Sequence, residues 1–156
     1  MSVILVRHAD PEDESPTGDA GRVLTALGRR QARDTAEWLQ GVVAELPPIV
    51  LSSPLARALQ TAEILVSTWG ASTVATSGAL RPGQSLAAAS NLAHADGDRG
   101  LVGHQPMMSE LAAQLLGRAL PFAFERGGAL VLDVEPRGGL RFRAYRVPFG
   151  EPILTL

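Results

Sequence analysis

The chain has no cysteine among its 156 residues. Redox thiols, disulfides and zinc ribbons are excluded with it. There is no long apolar run either. Nothing approaches the roughly 20 apolar residues of a membrane span. The first apolar stretch, Val3–Val6, is too short for the core of a signal peptide and runs straight into Arg7-His8. Net charge is scarce, at −2, so the basic face that general nucleic-acid binding needs is missing. The glycine fingerprints G-x-G-x-x-G and G-x-x-x-x-G-K-S/T are absent, which leaves dinucleotide and P-loop readings without their motifs. No repeat, low-complexity tract or linker is visible. What is present is a 46% apolar chain, enough for a core without disulfides. Its length suits one domain, residues 1–156. The expectation is a soluble cytoplasmic protein with no nucleic-acid or membrane partner. Its oligomeric state is open.

Three segments carry the chemistry: Val3-Ile4-Leu5-Val6-Arg7-His8, Ser52-Ser53-Pro54-Leu55-Ala56-Arg57 and Leu101-Val102-Gly103-His104-Gln105-Pro106. Each runs from an apolar, strand-like stretch into a turn and a candidate helix start. Each delivers Arg or His to that turn. Two histidines and two arginines at strand ends suggest an anion site with a nucleophilic imidazole. A divalent cation would not settle between Arg7 and Arg57, whereas a phosphate would.

The elements around them alternate. Val3–Val6 is of buried-strand type. Pro11–Gly21 reads as an acidic surface loop. Thr25 is a candidate N-cap, followed by an apolar stripe of Ala32, Ala36, Leu39 and Val43. That helix fades near Gly41, and Pro47-Pro48 forbids its continuation. Ile49-Val50-Leu51 is a second strand. Ser53 is expected to cap a helix with Pro54 at its first position and Leu55, Leu59, Ala62 and Val66 on its apolar face. Ser72–Thr76 is a third, shorter strand and Gln84–His94 an Ala-rich helix. Gly100–Gly103 is a strand, and Pro106 opens a helix that Gly117 ends. Ala129–Val134 and Leu140–Val147 flank Pro136-Arg137-Gly138-Gly139, a hairpin signal. The predicted fold is a three-layer α/β/α domain, its sheet mostly parallel with an antiparallel C-terminal hairpin. Ligands of such sheets bind beyond the carboxyl ends of the strands.

Each chemical candidate has a plainer reading beside it. A neutral His8 is a competent nucleophile if a backbone carbonyl fixes one ring nitrogen as N–H. Arg7 supplies a fork matched to phosphate oxygens. The plainer reading is a strand end at the surface. Arg57 lies in a first helical turn, where its charge opposes the macrodipole and a bound anion would resolve the conflict. Otherwise it is a solvated arginine. His104 can donate to a phosphoryl oxygen, and the Gln105 backbone N–H would point the same way. Otherwise it caps a helix. His94 has no partner to argue from, and Trp38, Trp69, Phe122, Phe124 and Phe142 suit packing.

The segments V-R-H-A, L-T-A-L-G-R-R-Q-A, S-S-P-L-A-R-A-L-Q-T-A-E and V-G-H-Q-P resemble the histidine phosphatase superfamily, with its phosphoglycerate-mutase-like fold. The short stretch from Thr76 to Leu101 resembles its small branch, the SixA-type phosphohistidine phosphatases. The resemblance implies His8 as phosphorylated nucleophile, Arg7 and Arg57 as phosphate clamps, and His104 as second pocket histidine. It also implies a phosphate ligand at Arg22, whose plainer reading is a loop arginine near Glu12-Asp13-Glu14. No cofactor and no metal is implied. One departure stands out. Larger members carry an acidic proton donor where this chain has Thr76–Ala95, which contains no Asp or Glu. Asp96 and Asp98 come later, in a turn. Asp10 is the nearest acidic candidate donor, or else an ordinary loop acid.

The leading expectation is a cofactor-independent phosphatase acting on phosphohistidine in a protein. The alternatives are a small-molecule phosphomonoesterase for sugar or nucleotide phosphates, a non-catalytic phosphate-binding module, and a metalloenzyme using His8, Asp10 and His104 as a facial triad.

Overall fold

The computed structural model describes residues 1–156. The strands are β1 (Ser2–Arg7), β2 (Ile49–Ser52), β3 (Thr73–Thr76), β4 (Arg99–Gly103), β5 (Ala129–Val134) and β6 (Leu140–Arg146). The helices are α1 (Ala26–Val42), α2 (Ala56–Trp69), α3 (Leu86–Ala93) and α4 (Met107–Leu116). They build one six-stranded sheet in the order β3-β2-β4-β1-β5-β6. Strands β3, β2, β4 and β1 are parallel, and β5 and β6 antiparallel.

Strand period 2 sorts the core into two layers. Ile4 and Val6 of β1 join Val50, Val102, Ala129 and Val131 under α1 and α2. Val3 and Leu5 join Leu101, Leu130 and Leu132 under α3 and α4. Every one of these is almost fully buried, each Val, Leu and Ile contributing about 1.5–3 kcal/mol by removal from water. That double burial is why β1 reads as a continuous apolar run rather than an alternating one.

Thr25 caps α1, its hydroxyl accepting from the Gly28 N–H at 2.9 Å. Gly28 is required by close approach: a Cβ there would lie 2.2 Å from the Asp10 carbonyl oxygen. α1 and α2 then meet through small residues, Ala32, Ala36, Ala58 and Ala62, all fully buried.

Two expectations about α2 are corrected. Ser53 is not its cap. Leu55 holds that position, without a side-chain capping bond, because the Ser53 hydroxyl is buried and turned toward His104. The buried apolar face is Ala58, Ala62, Leu65 and Trp69, with Leu59 and Val66 only half-buried. Trp69 decides the rotation: it buries a large ring and donates Nε1–H to the Ala36 carbonyl at 3.0 Å.

The chain runs outward from β1 to β2 and β3, then returns to insert β4 between β2 and β1. The carboxyl ends of these three neighbours therefore lie side by side. The ladder continues past them, His8 N–H donating to the Gly103 carbonyl and Ser53 N–H to that of Val102, both at 3.0 Å.

Candidate active site

His8 leaves the end of β1, His104 the end of β4, and Arg57 the first turn of α2. All three are buried, with 6%, 3% and 5% of their surface exposed. The two imidazoles lie side by side, 5.1 Å apart between centroids and tilted by 57°. Arg7 donates Nη1–H to the Phe124 carbonyl at 3.0 Å.

Backbone bonds hold the nucleophile candidate. His8 Nδ1 lies 2.8 Å from the Ala9 carbonyl, which can only accept, so Nδ1 carries the proton and Nε2 keeps its lone pair. The Gly127 N–H reaches both the Arg7 and His8 carbonyls, at 3.1 and 3.0 Å. Gly127 does so at φ +71°, a conformation that favours glycine. Thr61 links the Ala9 N–H to the Arg57 carbonyl through one buried hydroxyl.

His104 Nε2 lies 2.8 Å from the Ser53 hydroxyl, and that oxygen accepts from the Leu55 N–H at 3.3 Å. The arrangement that uses every group has Ser53 donating to Nε2. His104 Nδ1 is then an N–H, and it is buried without a partner. Arg7 Nε and Arg57 Nε are likewise buried and unpartnered. Arg99 Nε, at the opposite end of β4, is also unpartnered, but the other three donors belong to residues at the carboxyl edge of the sheet, where each left unmet costs about 1–3 kcal/mol. They suit an oxyanion.

Burial keeps both rings neutral. It pushes the His8 pKa down to about 4, against the backbone hydrogen bond to Ala9 and with the charges of Arg57, Arg7 and Arg126. It pushes that of His104 down to about 3, helped by His8 and Arg57. A stability prediction follows. Unfolded histidine takes up a proton near pH 6.5, whereas these two resist until about 4 and about 3. As pH falls below 6.5 the unfolded state binds more protons than the native one, so stability drops. At about 1.4 kcal/mol per pH unit per group, the loss is on the order of a few kcal/mol by pH 5. Chemical denaturation at pH 7.5, 6.5 and 5 checks it. Equal stability at the three values contradicts neutral, buried rings.

The other sequence candidates lie around this centre. Arg22 donates Nε–H to Asp19 Oδ1 at 2.9 Å, and the same carboxylate meets Arg57 Nη2 at 3.3 Å. Desolvation raises the Asp19 carboxyl, but the Arg22 hydrogen bond and the charges of Arg57 and Arg22 outweigh it and hold it below the usual range. The Gln105 side chain folds back onto Ser109, bonding its N–H at 3.0 Å and its hydroxyl at 2.6 Å. Only its backbone is left for a ligand. Asp10 has both oxygens engaged, by the Thr25 hydroxyl and by Arg126, each at 2.8 Å. It ties the β1–α1 loop to the start of α1, where Gln31 also accepts its N–H. His8, Asp10 and His104 do not form a ligand set, and no group of three or more His, Asp or Glu side chains is placed to hold a metal ion. His94 is exposed at the end of α3.

Sequence reasoning missed three residues. By local pattern Ser53 fits a helix cap. Asp19 sits within the acidic loop, although its i, i+3 spacing to Arg22 is a pairing signal. Arg126 had no signal, since its place beside Asp10 depends on a contact across 116 residues.

A model of the histidine phosphatase superfamily (branch 1) matches residues 3–81, half of the chain. No curated protein sequence matches. Among solved structures, the chain is similar to the protein histidine phosphatase SixA complexed with tungstate. They share 25% identity over 95% of this chain and 97% of that one, with TM-score 0.83. It is similar to a protein from Agrobacterium tumefaciens assigned as a phosphohistidine phosphatase SixA, at 25% identity over 94% and 97% of the two chains and TM-score 0.80. A phosphoserine phosphatase from Entamoeba histolytica in complex with 3-phosphoglyceric acid shares the fold. There the identity is 18% over 95% and 98%, with TM-score 0.69. No helix of the chain is long and apolar enough to cross a membrane.

Proposed function

The chain belongs to the histidine phosphatase superfamily, and from that membership we propose a phosphatase that removes phosphoryl groups from phosphohistidine in a protein. The observation that carries the site assignment is the set of buried, unpartnered donors Arg7 Nε, Arg57 Nε and His104 Nδ1 on residues at the sheet edge that also carries a neutral His8.

In this reading His8 Nε2 attacks phosphorus in line with the leaving group. The Nε2–P bond forms as the P–N bond of the substrate breaks, and the departing imidazole takes a proton from water. A second water then attacks phosphorus, the Nε2–P bond breaks, and inorganic phosphate leaves. The Ala9 carbonyl holds the Nδ1–H throughout and steadies the ring as it acquires charge. Arg7, Arg57 and His104 hold the non-bridging oxygens, with Arg22 and the Gln105 backbone N–H at the edge. No cofactor takes part.

Two features favour phosphohistidine over a sugar phosphate. The stretch between β3 and β4 is short, and its Leu80, Ala89 and Ala93 go into the core with α4, which leaves little chain to enclose a small substrate. Asp10, the acid nearest His8 in sequence, is committed to Thr25 and Arg126, and Asp19 is held below the usual carboxylate range by Arg22 and Arg57, so a leaving group that needs little protonation is preferred. The similarity to SixA proteins points the same way.

The test is a hydrolysis panel without added metal, comparing a phosphohistidine protein, a phosphoserine protein, phosphoramidate and sugar phosphates. Phosphohistidine protein is expected to be hydrolysed with the highest kcat/KM. A sugar or nucleotide phosphate ahead of it moves the small-molecule reading forward. Tight phosphate binding with no turnover of any substrate points to a binding module.

A further inference from the structure

The loop after β1 carries one contact that the catalytic scheme does not use. A short 3₁₀ turn, Asp19–Gly21, lies over the Arg57 head group. The Asp19 carbonyl oxygen accepts from Arg57 Nη1 at 2.9 Å, and Asp19 Oδ2 from Nη2 at 3.3 Å. Both bonds fall on the end of the guanidinium. The side edge, Nε–H with the second Nη2–H, is left over, and Nε is buried without a partner. That side edge is a two-pronged fork of the spacing that matches two oxygens of one phosphoryl group. An arginine held only by its stem could present either edge. The same carboxylate takes Arg22 Nε–H at 2.9 Å, so one anion sets two of the proposed clamps.

We propose that Asp19 is a positioning residue for phosphoryl transfer: it grips the end of the Arg57 guanidinium and thereby turns the Nε edge toward phosphorus. The proposal rests on the reading of this cradle as the phosphoryl site. Asp19 itself does not touch substrate. It acts from the rim, with 66% of its side chain exposed, on an arginine whose side chain is 6% exposed. The asymmetry is informative. Residues 12–20 bury almost no apolar surface, so Asp19 adds little to the core. Its carboxylate contributes order where Arg57 would otherwise have spare rotamers. Bringing the edge into register before the reaction is a kcat effect, because charge builds up on the oxygens in the transition state.

The experiment is a double-mutant cycle of Asp19→Ala and Arg57→Ala, read with an aryl phosphate and, separately, by calorimetric binding of tungstate. Loss of one preorganised donor costs on the order of 10²–10³ in rate, and disordering it is expected to cost part of that, about tenfold in kcat for Asp19→Ala. KM should change far less, and Tm should hardly move. Asp19→Asn, which keeps one acceptor oxygen, should fall between. In the Arg57→Ala background the same change should cost less than about twofold, since coupled residues are not additive. Tungstate affinity should fall severalfold with Arg57 present and stay level without it. Unchanged kcat, or the same loss in both backgrounds, overturns the proposal, as does a lowered Tm with kcat intact. If the wild-type protein hydrolyses nothing yet binds tungstate, the phosphatase reading fails and the binding cycle alone decides the role of Asp19. Tungstate bound equally with and without Asp19 then overturns it.

Discussion

His8→Ala is expected to have no measurable turnover while still binding phosphate or tungstate. In the proposed scheme the nucleophile is the His8 Nε2 lone pair, which no other group in the cradle is placed to replace. His104 is the only other imidazole there. Its Nε2 is taken by Ser53 and its Nδ1 carries the proton on the arrangement argued above. Removal of a covalent nucleophile in the subtilisin triad costs on the order of 10⁶ in kcat, and a loss of comparable size is expected here. Oxyanion binding should survive because Arg7, Arg57 and His104 are still in place. Their orientation depends on the Phe124 carbonyl, Asp19 and Ser53, none of which involves the His8 ring. The pair of measurements separates lost chemistry from lost fold. Substantial activity in purified His8→Ala, with contaminant controls, removes His8 as nucleophile. Loss of anion binding together with activity means that the ring holds the cradle open instead.

Legibility in the sequence was uneven, for physical reasons. The strands and their order of appearance were readable because β1 and β4 are buried on both faces and so spell continuous apolar runs, and β2 keeps a short apolar run although Ile49 is exposed. The hairpin was readable from Pro136-Arg137-Gly138-Gly139. That His8, Arg57 and His104 come together follows from parallel strands delivering their carboxyl ends to one edge. The rotation of α2 was not readable. Its residues offer two overlapping apolar stripes, and only the Trp69 contact with Ala36 chooses between them. The roles of small polar side chains were hidden as well. Ser53 fits a cap by local pattern, but a buried hydroxyl goes where the largest unmet polar demand lies, and His104 supplies it. Asp10 shows the converse: its nearness to His8 in sequence suggests chemistry, but its contacts to Thr25 and Arg126 are visible only in the fold.

Hydrolysis rates are expected to depend steeply on the leaving group. A positioned acid contributes about 10²–10⁴-fold by protonating the leaving atom in the transition state. Thr76–Ala95 has no Asp or Glu, Asp10 accepts hydrogen bonds on both oxygens, and Arg22 and Arg57 hold the Asp19 carboxyl below the usual range. His104 does not fill the gap, because burial holds its pKa down at about 3. Without such an acid, a sugar alkoxide must depart as a full anion, whereas an aryl oxide or an imidazole departs with far less help. In a series of phosphate monoesters of rising leaving-group pKa, kcat/KM should fall along the whole series, and simple sugar phosphates should be slower than aryl phosphates by about the 10²–10⁴ that the acid would have supplied. Asp10→Asn tests the candidate nearest His8 in sequence. It should leave aryl phosphate and phosphohistidine hydrolysis close to wild type, apart from any stability lost at the Thr25 and Arg126 contacts. A selective loss on alkyl phosphates in that variant makes Asp10 the donor after all and shifts the substrate toward small phosphomonoesters. A flat rate across the wild-type series, with chemistry shown to be rate-limiting, means that a proton donor reaches the leaving group from somewhere other than Asp10 or His104.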